Sequence, residues 1–143
     1  MRRFGERLKS DIKYKKRVGV YGIISVDNDL LLTEQDNDEI QLPGGGSDPN
    51  EHLIHTLIRE TLEETGWKIQ PKRRIGVYQR FVFMPEYNFW AHKICHIYHC
   101  EGIYPTNYKL EQGHLPIISS PEQAITLLES EGDRFFVKKF YQL

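Results

Sequence analysis

Cysteine is scarce. Cys95 and Cys100 are the only two in 143 residues, and both fall in one strand-like run, which argues against a secreted disulfide scaffold and predicts reduced thiols. Long apolar runs are absent too. No stretch approaches the roughly 20 residues that span a bilayer, and the basic start Met1-Arg2-Arg3 is not followed by an apolar signal core. The expectation is a cytoplasmic protein with no membrane partner. Internal repeats and low-complexity segments are missing as well. Net charge is only −1, yet residues 1–17 carry eight Lys/Arg against Glu6 and Asp11. Such a stretch fits either a solvated terminus or a contact for polyphosphate or RNA. Its acidic residues and its single serine, Ser10, speak against an organelle transit peptide.

What is present is the make-up of one soluble domain. Apolar residues are 39% and charged residues 27% of the chain, enough to bury a core at a length usual for one domain. The organisation predicted is a basic arm over 1–17 and a globular domain over 18–143. Val18 to Val26 reads as a buried strand, Asp27 to Asp29 as a turn and Leu30 to Thr33 as the hairpin partner. A polar loop leads to Leu42-Pro43-Gly44-Gly45-Gly46, where side chains vanish and backbone can approach a ligand. Asp48, Pro49 and Glu51 have the order expected at a helix start, and Gly66 marks its end. Between them Leu53, Ile54, Leu57, Ile58, Thr61, Leu62 and Thr65 recur at three- and four-residue spacing, which predicts a helix packed on a sheet by one side. Arg74 to Phe83 and Phe89 to Cys100 read as strands around a turn at Pro85, with a further short strand at Leu115 to Ser119. Ser120-Pro121 caps a helix through Leu128, and a third helix runs from about Asp133.

The first helix carries the chemistry. At 100° per residue Glu60, Glu63 and Glu64 fall within about a 100° arc. Like charges at this spacing destabilise a helix by about 0.2–0.5 kcal/mol per pair, so helix propensity gives no reason to group them. A bound cation does. Mg²⁺ prefers oxygen ligands, whereas the absence of a His/Cys pattern disfavours zinc. Arg59, four residues before Glu63 and able to reach back to Glu51, is placed to orient carboxylates.

Taken together, Gly45, Glu51, Arg59-Glu60, Glu63-Glu64 and Gly66 stand at the spacing G-x5-E-x7-R-E-x-x-E-E-x-G, which resembles the Nudix box of the MutT-type hydrolase superfamily. All the fixed positions match; by average residue usage a chance match at one window is on the order of 10⁻⁸ or below. Thr61 and Trp67 depart from the aliphatic residues usual at those positions. The resemblance implies an α/β (α+β) Nudix sandwich of the α/β/α kind, a mixed β-sheet between helices. It implies Mg²⁺, with Mn²⁺ as a substitute, held by Glu60, Glu63 and Glu64, with the Gly44 carbonyl as an additional ligand. Glu111, in the loop before the last strand, either completes that set or is an ordinary loop residue. Glu60 is the first choice for general base and Glu63 the second; Gly45, Glu51 and Gly66 are structural.

The implied reaction is attack of water on a nucleoside diphosphate linked to a moiety X. A nucleoside triphosphate, oxidised ones included, is the first substrate class; ADP-ribose, nucleotide sugars and dinucleoside polyphosphates are the alternative. A second class is a Nudix-like nucleotide sensor or RNA-binding module without turnover. Such modules tend to lose box glutamates, and all are present here, so a nucleic-acid partner is disfavoured. A homodimer stays open. Arg17, Arg80, Phe81 and Tyr87 are candidates for substrate contacts, with hairpin packing as the alternative for the aromatics. Cys95-His96-Ile97-Tyr98-His99-Cys100 has the composition of a metal cluster, but strand geometry places Cys95 and His99 about 13 Å apart, too far for one zinc.

Overall fold

The computed structural model describes residues 1–36 and 38–143. The elements follow in the order β1 (Arg2–Gly5), β2 (Lys15–Val26), β3 (Asp29–Glu34), β4 (Ile40–Gln41), β5 (Gly44–Gly46), α1 (Leu53–Thr65), β6 (Trp67–Met84), β7 (Phe89–Pro105), β8 (Leu115–Ser119), α2 (Pro121–Leu127) and α3 (Glu131–Tyr141). The strands form one sheet in the order β1-β6-β7-β2-β3-β4, with β5 also on β2 and β8 on β3. It is mixed: β2 runs parallel to β7 and antiparallel to β3.

Side chains alternate across the sheet, so each strand feeds two layers. On one side Val20, Ile24, Leu31, Ile69 and Cys100 pack with Leu57 of α1. On the other, Ile23, Leu30, Leu32, Tyr78, Cys95 and Ile97 pack with Ala124, Phe136 and Val137 of α2 and α3. A mixed sheet thus lies between helices, as expected. The capping logic at α2 holds in full: Ser120 accepts from the Gln123 N–H, and the Gln123 side chain returns to the Ser120 N–H.

Three expectations need correction. First, α1 starts at Leu53 after an extended His52, with no side-chain cap; Asp48 is not its N-cap. Residues 48–51 form a turn instead, closed by the Glu51 N–H on the Asp48 carbonyl at 2.9 Å. Both carboxylate oxygens of Glu51 accept from Arg59, at 2.9 Å each, and Oε1 also accepts from the Asp48 N–H at 3.3 Å, so Glu51 closes this turn and anchors Arg59 instead of starting the helix. Second, of the α1 residues expected to pack on the sheet, Leu57, Thr61 and Thr65 are buried, but Leu53, Ile54, Ile58 and Leu62 are half-buried, and Thr56 and the carboxylate Glu64 take buried places instead. Third, β6 and β7 extend well beyond the predicted limits. Register shifts between Pro71 and Arg73 and between Arg74 and Gly76 let the ladder continue through Pro71, N-terminal to the predicted start at Arg74.

The basic stretch 1–17 is woven into the sheet at both ends. Arg2–Gly5 adds an edge strand parallel to Tyr78–Phe81 of β6, and Lys15, Lys16 and Arg17 are the first residues of β2, paired with β7.

Candidate active site

The site is built where α1 crosses the glycine strand β5. Gly44 has φ +148°, and a Cβ there would collide with the Val20 carbonyl. A Cβ on Gly45 would lie 2.8 Å from the Glu60 carboxyl carbon. Glycine at these two positions therefore lets the helix carboxylates approach the sheet backbone. Gly66 ends α1 in a left-handed conformation, φ 75°, with its N–H on the Leu62 carbonyl at 2.9 Å. The chain then returns so that the Glu111 N–H donates to the Glu63 carbonyl at 2.8 Å, bringing a fourth carboxylate to the same place.

Arg59 gathers the cluster. Its Nε and Nη2 hold Glu51 as described, and its Nη1 reaches Glu60 Oε1 at 3.2 Å and Glu63 Oε1 at 3.3 Å. These hydrogen bonds hold the Glu51 carboxyl down to about 2. Glu60 and Glu64 move the opposite way. Burial, reinforced by the charges of Glu63 and Glu111, pushes Glu60 up to about 7 against the pull of Arg59. Burial pushes Glu64 up to about 9, opposed by the Gly44 N–H that donates to its Oε1 at 3.0 Å. His114 stands 4.0 Å from Glu64 and 3.7 Å from Glu111.

Ligand atoms of Glu60, Glu63 and Glu111 all lie within 4.8 Å of one another, as do those of Glu64, Glu111 and His114. Glu111 belongs to both sets. A donor set of several carboxylate oxygens and one imidazole fits a hard divalent cation.

A cavity of about 480 Å³ opens beside this cluster. Of the residues singled out in sequence, Gly44, Gly45, Glu60, Glu64, Glu111, Arg17 and Tyr87 line it. The Arg17 guanidinium sits 4.6 Å over the Tyr87 ring. Glu51, Arg59 and Glu63 do not line it. Arg80 and Phe81 do not border it: Arg80 lines a smaller recess of about 90 Å³, while Phe81 stacks on His92 at 4.4 Å and meets Tyr14 edge-on. Neighbouring positions on a strand face opposite sides, so these two cannot share a wall.

Lys93, Tyr21, Glu39 and His114 also line the main cavity and were not anticipated. A signal for Lys93 exists: Ala91, Cys95 and Ile97 are buried at alternate positions of β7, and Lys93 is the charged member of that series. His114 sits in an irregular loop with no periodic pattern to single it out. Among the described residues neither cysteine joins a group of metal-ligating side chains, and His99 lies 3.1 Å from the Ser25 hydroxyl.

Comparison with known proteins agrees with this arrangement. The NUDIX domain family profile matches residues 13–132. A Bacillus subtilis (strain 168) protein named as an 8-oxo-dGTP diphosphatase is 44% identical over 57 residues, 40% of this chain and 38% of that one. An ADP-ribose pyrophosphatase of Methanocaldococcus jannaschii is 38% identical over 65 residues, 43% of this chain and again 38% of the relative. The match thus spans well under half the length of these relatives. In fold, a NUDIX hydrolase from Nitrosomonas europaea superposes with a TM-score of 0.75 over 90% of both chains at 20% identity.

Proposed function

This chain belongs to the NUDIX domain family, and from that premise we propose that it is a Mg²⁺-dependent pyrophosphohydrolase cleaving the diphosphate linkage of a nucleoside diphosphate derivative. Nucleoside triphosphates, oxidised ones included, are the first substrate class. The observation that carries this reading is the convergence of Glu60, Glu64 and Glu111 on one wall of a cavity large enough for a nucleotide. Bound Mg²⁺, for which Mn²⁺ can substitute, supplies neutralisation of the charge developing on the phosphoryl oxygens.

The chain's own residues do the rest. Glu60, Glu63, Glu64 and Glu111 hold the cation. Glu60 is favoured over Glu63 as the group that takes the proton of the attacking water, because Glu60 lines the cavity and Glu63 does not. Arg59 acts by positioning: its contacts to Glu51, Glu60 and Glu63 hold the carboxylates in register with β5. The Gly44 N–H fixes the Glu64 carboxyl. Arg17, paired with the Tyr87 ring, gives the cavity a cation for the substrate.

The ADP-ribose pyrophosphatase relative supports the second substrate class, ADP-ribose and nucleotide sugars. A panel of nucleoside triphosphates, ADP-ribose, nucleotide sugars and dinucleoside polyphosphates, with products identified in ¹⁸O-labelled water, separates the two. Turnover is expected to require Mg²⁺ and to fall by roughly 10²-fold or more in Glu60→Gln. Absence of turnover across the panel by the unmodified protein overturns the enzyme reading.

A further inference from the structure

The loop before β8 brings more than Glu111 to the carboxylate cluster. Residues 111–114 form a turn, closed by the His114 N–H on the Glu111 carbonyl at 3.2 Å, with Gly113 at φ +85° in its third place. The Glu111 N–H on the Glu63 carbonyl ties this turn to α1. Glu111 and His114 thus both border the main cavity beside Glu64.

The two overlapping groups of ligand atoms differ in kind. Glu60, Glu63 and Glu111 offer oxygen alone, whereas Glu64, Glu111 and His114 add a nitrogen. The spacing in the second group is that of ligands around an ion. His114 Nε2 lies 3.7 Å from Glu111 Oε2, and Nδ1 lies 4.0 Å from Glu64 Oε2, both too long for a direct hydrogen bond. Two ligands each about 2.1 Å from one cation stand about 3.0 to 4.2 Å apart as their angle opens from 90° to 180°. Glu64 is buried, its Oε1 accepts the Gly44 N–H, and its Oε2 takes no hydrogen bond among the described residues.

Thr33 decides which ring nitrogen is free to ligate. Its hydroxyl, on a fully buried side chain of β3, faces His114 Nδ1 at 3.4 Å. A ligating histidine ordinarily donates its other ring N–H to such a fixed partner, which sets the tautomer and the ring plane. With Nδ1–H on Thr33, the lone pair is left on Nε2, on the side of Glu111. An imidazole in the donor set matters for the choice of ion, because Mg²⁺ prefers oxygen and first-row transition ions accept nitrogen readily.

Resting on the reading of this cluster as a metal site, we propose that His114 Nε2 is a ligand of a cation position shared with Glu64 and Glu111, and that it makes this position selective for a first-row transition ion over Mg²⁺. The all-oxygen position at Glu60, Glu63 and Glu111 keeps Mg²⁺. Thr33 acts by positioning the imidazole.

The test loads the protein with Co²⁺ alone, without nucleotide, and records its proton NMR spectrum in H₂O and in D₂O. A proton on the far ring nitrogen of a Co²⁺-bound imidazole is shifted well outside the diamagnetic range. One such resonance, present in H₂O, lost in D₂O and missing from His114→Asn, is expected. Calorimetric titrations should show Co²⁺ affinity falling by about tenfold or more in His114→Asn, while Mg²⁺ affinity changes by less than about threefold. Absence of the shifted exchangeable proton from the unmodified protein overturns the proposal without recourse to any variant. So does an equal fall in affinity for both ions in His114→Asn with the thermal midpoint of the cation-free protein preserved. Because neither readout involves turnover, the shifted proton supports the proposal even where no nucleotide is hydrolysed, and Mg²⁺-dependent hydrolysis without it leaves the hydrolase reading standing and removes this one.

Discussion

Cation binding should expel about one proton, and Glu64 should be its source. With Glu60 near 7 and Glu64 near 9, the cation-free protein at pH 7.5 holds about 0.2 proton on the first and about 1.0 on the second, about 1.2 in all. A divalent cation requires both groups ionised, so saturating Mg²⁺ or Mn²⁺ at this pH releases those protons. Replacing Glu64 by Gln keeps an oxygen to accept the Gly44 N–H, now 3.0 Å from Glu64, but removes the proton, and the release drops to about 0.2. At pH 9.5 the unmodified protein should also release only about 0.2, because Glu64 is then largely ionised beforehand. Isothermal titration with Mn²⁺ in buffers of different ionisation enthalpy measures the number directly. A release below about 0.3 at pH 7.5 in the unmodified protein, or the same release in Glu64→Gln, refutes the assignment of a protonated buried Glu64. The sign for stability follows from the same shifts. Both folded-state values lie above the ordinary carboxylate value of 4.5, so the folded chain binds more protons than the unfolded one. The cation-free protein therefore loses stability as pH rises from about 4.5 through 7 and on towards 9, and added cation should restore the thermal midpoint most at the alkaline end.

Further outcomes are expected at neighbouring positions. Arg59→Met removes the cation that opposes the upward shift of Glu60, so the acid limb of kcat/KM should move to higher pH by on the order of one pH unit, with activity partly recovered in alkaline buffer. A pH–rate profile with an unmoved limb counts against that role. Gly45→Ala places a methyl 2.8 Å from the Glu60 carboxyl carbon; steady-state kinetics should show a loss of roughly 10²-fold in turnover, larger than any loss of thermal midpoint would explain. Thr61 is fully buried with its hydroxyl unpartnered among the described residues. Thr61→Val should stabilise by about 1 kcal/mol, read as a rise of roughly 3 °C in the thermal midpoint, and a fall would show that the hydroxyl has a partner after all.

The strand–helix inventory was largely legible in the chain because turns and caps are local. The hairpin across Asp27, the turn at Pro85, the capping box at Ser120 and the left-handed Gly66 each need only a few adjacent residues to be recognised. Misreadings arose where a distant partner overrode a local rule. Asp48-Pro49-Glu51 has the form of a cap, but Glu51 is claimed by Arg59 from two turns along the helix. The strand was expected from Arg74, but pairing with β7 carries β6 back through Pro71 to Trp67 with register shifts. Arg80 and Phe81 were grouped as substrate contacts, and the pleat sends them to opposite sides.

The sequence by itself determined the carboxylate helix and hence the family and the chemistry proposed for it, because the spacing of Glu60, Glu63 and Glu64 on a helix follows from 1.5 Å and 100° per residue alone. Only the tertiary structure decided that Glu64 is buried against Gly44 and that Glu111 joins it. It alone placed Arg17, Lys93 and Arg80 in one row beside Glu39. Those contacts depend on the parallel pairing of β2 with β7, far apart in the chain, on the register of the β6–β7 ladder and on the loop before β8 folding back, and no local periodicity carries that information.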